Sequence, residues 1–264
     1  VTRPDLLQGD AVTRLKEMPA KSVQSCVTSP PYWGLRDYGT AEWEGGDAEC
    51  GHRKNHFGKN PSKKQLSNKG SAEGHGRIVY RDECKKCGAK RIDRQLGLEP
   101  TPEEYVANLV AVFREVRRVL RDDGTVWLNL GDSYAGSGKG AWNNKTDVQK
   151  EVYVPKPGGA EASMPKVPLG LKPKDLVGIP WRVAFALQAD GWYLRSDIVW
   201  NKSNPMPESV RDRPTKIHEY IFLLAKSASY YYDADAIKEA SMDGTRNARS
   251  VWTFNTQAYP EAHF

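Results

Sequence analysis

The sequence predicts an α/β fold built on a doubly wound sheet and carrying a polar insertion. Three observations lead there. An apolar run, Val23 to Thr28, follows a short helix-like segment and stops at Ser29-Pro30-Pro31-Tyr32. A strong helix start at Thr101-Pro102-Glu103-Glu104 leads through a periodic segment and Asp122-Asp123-Gly124 into the apolar run Thr125 to Leu130, the helix–turn–strand unit that such sheets repeat. A second unit of this kind spans Lys174 to Asn201, its helix expected over Lys174 to Gly191, and a further apolar run follows from Glu219 to Ala225.

Bulk properties bound the reading. With 264 residues the chain has length for one α/β domain, 1–264, with insertions and a sizeable core. Its 39 Lys+Arg against 33 Asp+Glu give a net charge of +6, which permits a polyanionic partner without requiring one. No apolar run approaches the roughly 20 residues of a membrane span, and the N-terminal residues lack a signal-peptide core, so no membrane partner and a cytoplasmic location are expected. Four cysteines in a chain of this length do not make a disulfide scaffold, and their spacing points to metal instead.

In chain order, Leu6-Leu7-Gln8-Gly9-Asp10 precedes the helix Ala11 to Met18. Asp10 suits either of two roles: an acceptor for a nucleoside ribose or amine at the carboxyl edge of a parallel sheet, or a helix N-cap. The strand Val23 to Thr28 cannot continue through two prolines, which have fixed φ and no N–H, so the chain leaves the sheet stiffly. Such a turn, with a hydroxyl, free carbonyls and an aromatic ring, suits a flat polar ring such as a nucleobase; on spacing alone it also suits a packed strand terminator.

Residues 39–98 turn polar and lose apolar periodicity, which marks an insertion. It holds Cys50-Gly51-His52 and Cys84-Lys85-Lys86-Cys87-Gly88, and Cys50, His52, Cys84 and Cys87 make a Cys₃His set suited to a structural zinc. His56 or His75 are substitutes for His52, and a reduced, unliganded pair of cysteines is the plain alternative. Cys26, in the apolar strand, reads as a small core residue.

The helix from Thr101 carries Tyr105, Leu109, Val112, Val116 and Leu120 at helical spacing, and Asp122-Asp123-Gly124 ends it. After the strand Thr125 to Leu130, the stretch Gly131 to Gly140 imitates a phosphate loop. Ser137 stands where such a loop needs lysine and no helix pattern follows, so 133–171 is read as a basic loop facing a substrate. Asp132 and Tyr134 are placed to line a site. Trp192 to Asn201 alternates, with Trp192, Leu194, Ile198 and Trp200 expected on one face. The loop Lys202 to His218, with Arg211, Arg213 and Lys216, joins that strand to Glu219–Ala225 as an antiparallel pair. Tyr230 to Asp233 begins a short element before a loop-like end from Ser241.

These residues carry a resemblance. Gly9-Asp10, Thr28-Ser29-Pro30-Pro31-Tyr32-Trp33-Gly34, Arg118 to Gly124, Ile198-Val199-Trp200-Asn201-Lys202 and His218-Glu219 resemble, in that order, the amino-type DNA methyltransferases in which the Ser/Asn/Asp-Pro-Pro-Tyr motif precedes the cofactor motif. The resemblance covers most of the chain. It implies a Rossmann-like sheet with a reversed strand, S-adenosylmethionine as methyl donor, double-stranded DNA as partner, and methylation of an exocyclic amine. Serine at the head of the motif favours cytosine N4 over adenine N6.

A ring-conjugated amine is a poor nucleophile, so its hydrogens need acceptors as it attacks the methyl in line. The Ser29 hydroxyl and the Pro30 carbonyl are the expected acceptors. Pro31 stiffens the turn, and Tyr32 stacks on the flipped base. Asp10 and Ser29 are expected to contact the cofactor, and Trp33, Arg36, Lys202, Arg211 and Arg213 the DNA. One departure stands out: the family's Phe-x-Gly-x-Gly loop does not follow Phe254. The expectation is therefore a fold incomplete at its C-terminus, binding cofactor weakly alone and missing a C-terminal half that carries the Gly-rich loop. A non-catalytic nucleic-acid-binding fragment and an RNA or protein-amide methyltransferase are the alternatives.

Overall fold

The computed structural model describes residues 5–34, 41–47, 49–50, 55–56, 78–79, 83–84, 86–136 and 170–256. Two compact units make up the chain. One comprises Val1–Trp33, Glu99–Ser133 and Leu176–Phe264, the other Gly34–Leu98 and Tyr134–Asp175.

The first unit opens with α1 (Ala11–Glu17), capped by Asp10, whose Oδ1 accepts from the Thr13 amide at 2.9 Å and the Thr13 hydroxyl at 2.8 Å. β1 (Val23–Thr28) follows and ends at the prolines. In the second unit, β2 (Glu42–Glu44) pairs antiparallel with β5 (Lys90–Ile92), and β3 (Asn55–His56) with β4 (Ile78–Val79).

Back in the first unit, α2 (Pro102–Val119) is capped by Thr101, whose hydroxyl accepts from the Glu104 amide at 3.2 Å. Its buried stripe is Tyr105, Leu109, Phe113, Val116 and Val119, so Phe113 fills the core position expected for Val112. Each large side chain on such a stripe contributes about 1.5–3 kcal/mol of burial. The Arg118 guanidinium donates to the carbonyls of Leu15 at 2.6 Å and Met18 at 3.0 Å, satisfying the frayed end of α1.

The helix does not run to Asp122-Asp123-Gly124 as expected; it stops at Val119, and β6 (Leu120–Leu130) contains those residues as a bulge. Leu120 pairs with Val23 and Thr125 with Ser25, so the extra residues loop out between them. Glycine suits the crowded backbone there, because a Cβ on Gly124 would lie 3.0 Å from the carbonyl oxygens of Arg121 and Gln24.

The second helix is shorter than expected. α3 (Ile179–Ala189) starts after Gly178, whose φ of 79° is left-handed, with Pro180 in its first turn. β7 (Tyr193–Lys202), β8 (His218–Ala225), the hairpin of β9 (Glu239–Ser241) with β10 (Gly244–Arg246), and β11 (Val251–Phe254) complete the described elements.

The main sheet has the order β1-β6-β8-β7-β11. β1 is parallel to β6 and β11 to β7, whereas β8 runs antiparallel between β6 and β7. The expected antiparallel pair is therefore present, with β8 inside the sheet. A register shift between Leu194 and Ser196 reverses the alternation of β7: Leu194 pairs with Leu224, but Ile198 pairs with Ile221. Leu194 and Ile198 consequently lie on opposite faces, not on the single face that the sequence suggests. β11 lies in the stretch expected to be a loop, where Val251-Trp252-Thr253-Phe254 has the β-branched and aromatic makeup of a strand.

One sheet face packs on α2 and α3, with Trp181 edge-on to Phe222 at 5.2 Å and Phe113 edge-on to Trp192 at 6.5 Å. On the other, Trp127 stacks on Trp252 and Trp200 on Phe254. Among the described residues no helix is long and apolar enough to cross a membrane.

Candidate active site at the carboxyl edge of the sheet

The carboxyl ends of β1, β6 and β7 and the amino end of reversed β8 lie along one sheet edge, where the chain collects its polar side chains. Tyr32 is the hub. Its hydroxyl lies 2.8 Å from Glu219 Oε2 and 2.9 Å from Asn129 Oδ1, two acceptors for its one proton, and the Ser29 hydroxyl lies 3.2 Å from both the Tyr32 oxygen and Asn129 Oδ1. Asn129 Nδ2 donates to the Tyr220 carbonyl at 3.1 Å, which fixes the amide with its oxygen toward Tyr32 and Ser29. Burial, and then the Glu219 charge, push the Tyr32 phenol well above its usual range, so it stays protonated and does not act as a base.

Glu219 is held by Lys202, whose ammonium donates to Oε1 and lies 4.7 Å from the Trp200 ring centroid. Beside this pair is a second one. Asp132, with 3% of its side chain exposed, lies 3.9 Å from Lys216 Nζ, and its Oδ1 accepts from the amides of Ser133 at 2.9 Å and of Gly178 and Ile179 at 3.0 Å. The carboxylate thus caps α3 in place of an N-cap side chain, which Gly178 lacks. Burial lowers the Lys216 ammonium, against the opposing pull of Asp132, and burial with the Lys216 charge lowers His218.

The prolines position this cluster from below. The Pro31 carbonyl accepts from the Tyr105 hydroxyl at 2.8 Å, tying the turn to α2. Trp33 Nε1 donates to the Glu99 carbonyl at 2.9 Å. The Tyr32 ring lies against Gly131, where a Cβ would fall 2.5 Å from Cε2. Gly131→Ala is therefore expected to dislodge Tyr32 and lower stability by about 1–3 kcal/mol, read from the urea midpoint.

Of the residues named from sequence, Ser29, Pro30, Pro31 and Tyr32 form the turn itself, and Lys202 joins it through Glu219. Asp10 is the cap of α1. Arg213 is engaged within its own loop, with Glu208 at 2.8 Å and the Pro214 carbonyl at 2.9 Å, and Arg211 is exposed. Arg36 and His52 lie outside the described residues. Sequence reading missed Asn129 and the position of Glu219 at the carboxyl edge of the sheet. The alternation of Thr125 to Leu130 offered one signal, since Asn129 is the sole polar residue among the last five of that strand.

In the second unit, Cys50, Cys84 and Cys87 bring their sulfurs within 4.8 Å of one another. Cys26 stands apart in β1, where burial raises its thiol.

Comparison with known proteins gives the edge its context. A family model described as DNA methylase matches residues 23–263. The chain is 43% identical over 260 residues to the Type II methyltransferase M.Cfr9I of Citrobacter freundii, an alignment that covers 98% of this chain and 67% of that protein. It is 43% identical over 262 residues to the Type II methyltransferase M.SmaI of Serratia marcescens, covering 98% of this chain and 69% of that one. The solved structure of the PvuII DNA methyltransferase, described as cytosine-N4-specific, superposes with a TM-score of 0.50 at 12% identity, covering 96% of this chain and 57% of the other. That likeness bears out the Rossmann-like sheet with its reversed strand, and the chain spans about two thirds of the length of the two Type II methyltransferases. With the family model matched along nearly the whole chain, this protein belongs to the DNA methylase family.

Proposed function

We propose that this chain forms the base-facing part of a methyltransferase that modifies an exocyclic amine of duplex DNA, cytosine N4 in preference to adenine N6. The observation that carries the reading is the Ser29–Tyr32–Asn129–Glu219 cluster at the carboxyl edge of the sheet. A Ser29 proton directed at Asn129 Oδ1 or the Tyr32 oxygen leaves the serine lone pairs free to accept a hydrogen from a base amine. The Pro30 carbonyl accepts the second. Drawing on both N–H bonds raises electron density on the nitrogen as it attacks. Tyr32, anchored through its hydroxyl to Glu219 and through its ring to Gly131, offers a preset surface for a flipped base. The names of the relatives, Type II methyltransferases, and of the cytosine-N4-specific neighbour support the same reading.

The donor set fits the adenosyl end of S-adenosylmethionine. An exposed carboxylate on Asp10, at the head of α1, and an exposed hydroxyl on Ser29 suit the ribose hydroxyls and purine amine of that cofactor. When bound, it supplies an electrophilic methyl on a sulfonium. The remaining cofactor contacts are assigned to a further segment carrying the Gly-rich loop. Supporting this, β1 is unpaired on its second edge among the described residues, Val27 is 79% exposed, and α1 buries no side chain.

Duplex DNA is assigned to the exposed loop bearing Arg211 and Arg213 and to Trp33 and Lys202; Arg36 is assigned to it from the sequence alone. Among the described residues the four cysteines form no disulfide, in accord with a reducing cytoplasm. The test is a substrate screen: native protein containing this chain, labelled S-adenosylmethionine, and duplex DNA, RNA or protein as acceptor. Label is expected in duplex DNA, with binding that weakens steeply as salt rises. Label confined to RNA or protein would overturn the assignment.

A further inference from the structure

We propose that Cys50, Cys84 and Cys87 hold a zinc ion that organises the second unit, independently of the methyl-transfer site. The sulfurs of Cys50 and Cys84 are 3.8 Å apart, and all three lie within 4.8 Å of one another. A disulfide would bring two sulfurs to about 2.05 Å. Two thiolates on one tetrahedral zinc, with Zn–S bonds of about 2.3 Å, lie about 3.8 Å apart. Cys50 and Cys84 therefore have the spacing of two corners of a metal tetrahedron and not that of a bond between cysteines, and Cys87 lies close enough to supply a third.

The backbone around the sulfurs is shaped to hold them there. The Gly88 amide donates to the Cys84 carbonyl and the Cys84 amide to the Ala89 carbonyl, both at 2.8 Å, closing a tight knuckle. Gly88 supplies the φ of 72° that this turn needs. Directly after the knuckle comes β5, whose partner β2 leads through Gly45-Gly46 to Cys50, so one hairpin delivers ligands from both of its strands. Gly46 is pressed onto the cluster: a Cβ there would fall 2.8 Å from both Cys87 Sγ and Ala89 Cβ. Beneath it Ala89 is completely buried. A hairpin with strands this short has little apolar surface to bury, and a metal bond network supplies the stability it lacks.

Three thiolates and one further ligand saturate zinc, which makes the centre structural and leaves no position for catalysis. No redox change is involved: each thiol loses its proton to solvent as its sulfur binds the ion.

The experiment measures metal in native protein purified under reducing conditions without chelator. One zinc per chain is expected by elemental analysis, retained in Cys26→Ser and lost in Cys84→Ser and Cys87→Ser. Unaltered protein supplies a readout that does not depend on the variants folding: alkylation or mercurial titration of the thiols is expected to release the zinc stoichiometrically as three cysteines react. After zinc removal, amide exchange in β2 and β5 is expected to rise at least tenfold while β6 and β8 keep their protection. Metal-free native protein that also takes up no added zinc, stoichiometric zinc in folded Cys84→Ser, or unchanged exchange in β2 and β5 would each overturn the proposal.

Discussion

Tyr32→Ala is expected to lower single-turnover methyl transfer to duplex DNA by about 100-fold or more, the scale set by losing the orientation of a reacting group. Salt-sensitive DNA binding is expected to change little. The reason lies in how the ring is held: Glu219 and Asn129 anchor the hydroxyl at 2.8 and 2.9 Å, and Gly131 leaves room for the ring edge. Alanine removes the surface against which a flipped base is held and leaves the Glu219–Lys202 pair facing a void. Tyr32→Phe separates the two contributions. It keeps the ring and deletes the anchor, so a smaller loss of transfer is expected, together with about 1–3 kcal/mol of stability as partly buried Glu219 and Asn129 lose a partner. Equal loss of transfer in both variants would show that the hydroxyl anchor governs the step and the stacking surface does not.

Asp132→Ala is expected to be the most destabilising change at this edge, by about 3–5 kcal/mol in urea denaturation. One buried carboxylate serves the amides of Ser133, Gly178 and Ile179 and faces Lys216, so alanine orphans three donors and an ammonium together. Asp132→Asn keeps an acceptor oxygen for the amides and loses the charge, and an intermediate cost is expected. The pH dependence follows from Lys216. Burial lowers its pKa in the folded chain, so the unfolded chain holds the proton more tightly and stability rises as pH climbs through the interval from the folded value to the ordinary lysine range. Removing Asp132, which pulls the other way, steepens that rise.

The parts of this site that were legible in the sequence are those that local chemistry determines. Two prolines after an apolar run can only end a strand, and Thr101-Pro102-Glu103-Glu104 can scarcely do anything but start a helix. What stayed hidden depends on tertiary pairing. Glu219 is 187 residues from Tyr32 and Asn129 is 97, and they meet it because β8 runs backwards beside β6, a placement that no local pattern encodes. The bulge after Leu194 carries no glycine or proline to announce it, and it moves Ile198 and Trp200 to the face opposite the one that Leu194 shares with Leu224. Asp132 was visible as a residue near a strand end. Its service to Gly178 and Ile179 was not, since the capped helix begins 47 residues later. Asp10 admitted two readings from sequence, and the structure supplies the capping contact without excluding a second use of an exposed carboxylate.

The central claim is that this edge presents a base amine for methylation, and the identity of the modified nucleoside tests it most directly. Native protein containing this chain would be incubated with labelled S-adenosylmethionine and unmethylated duplex DNA, and the DNA digested to nucleosides and resolved by mass spectrometry. The account predicts label as N4-methylcytosine, reduced strongly in Ser29→Ala. Label on the C5 carbon of cytosine, or N4-methylcytosine undiminished by loss of the Ser29 hydroxyl, would contradict it.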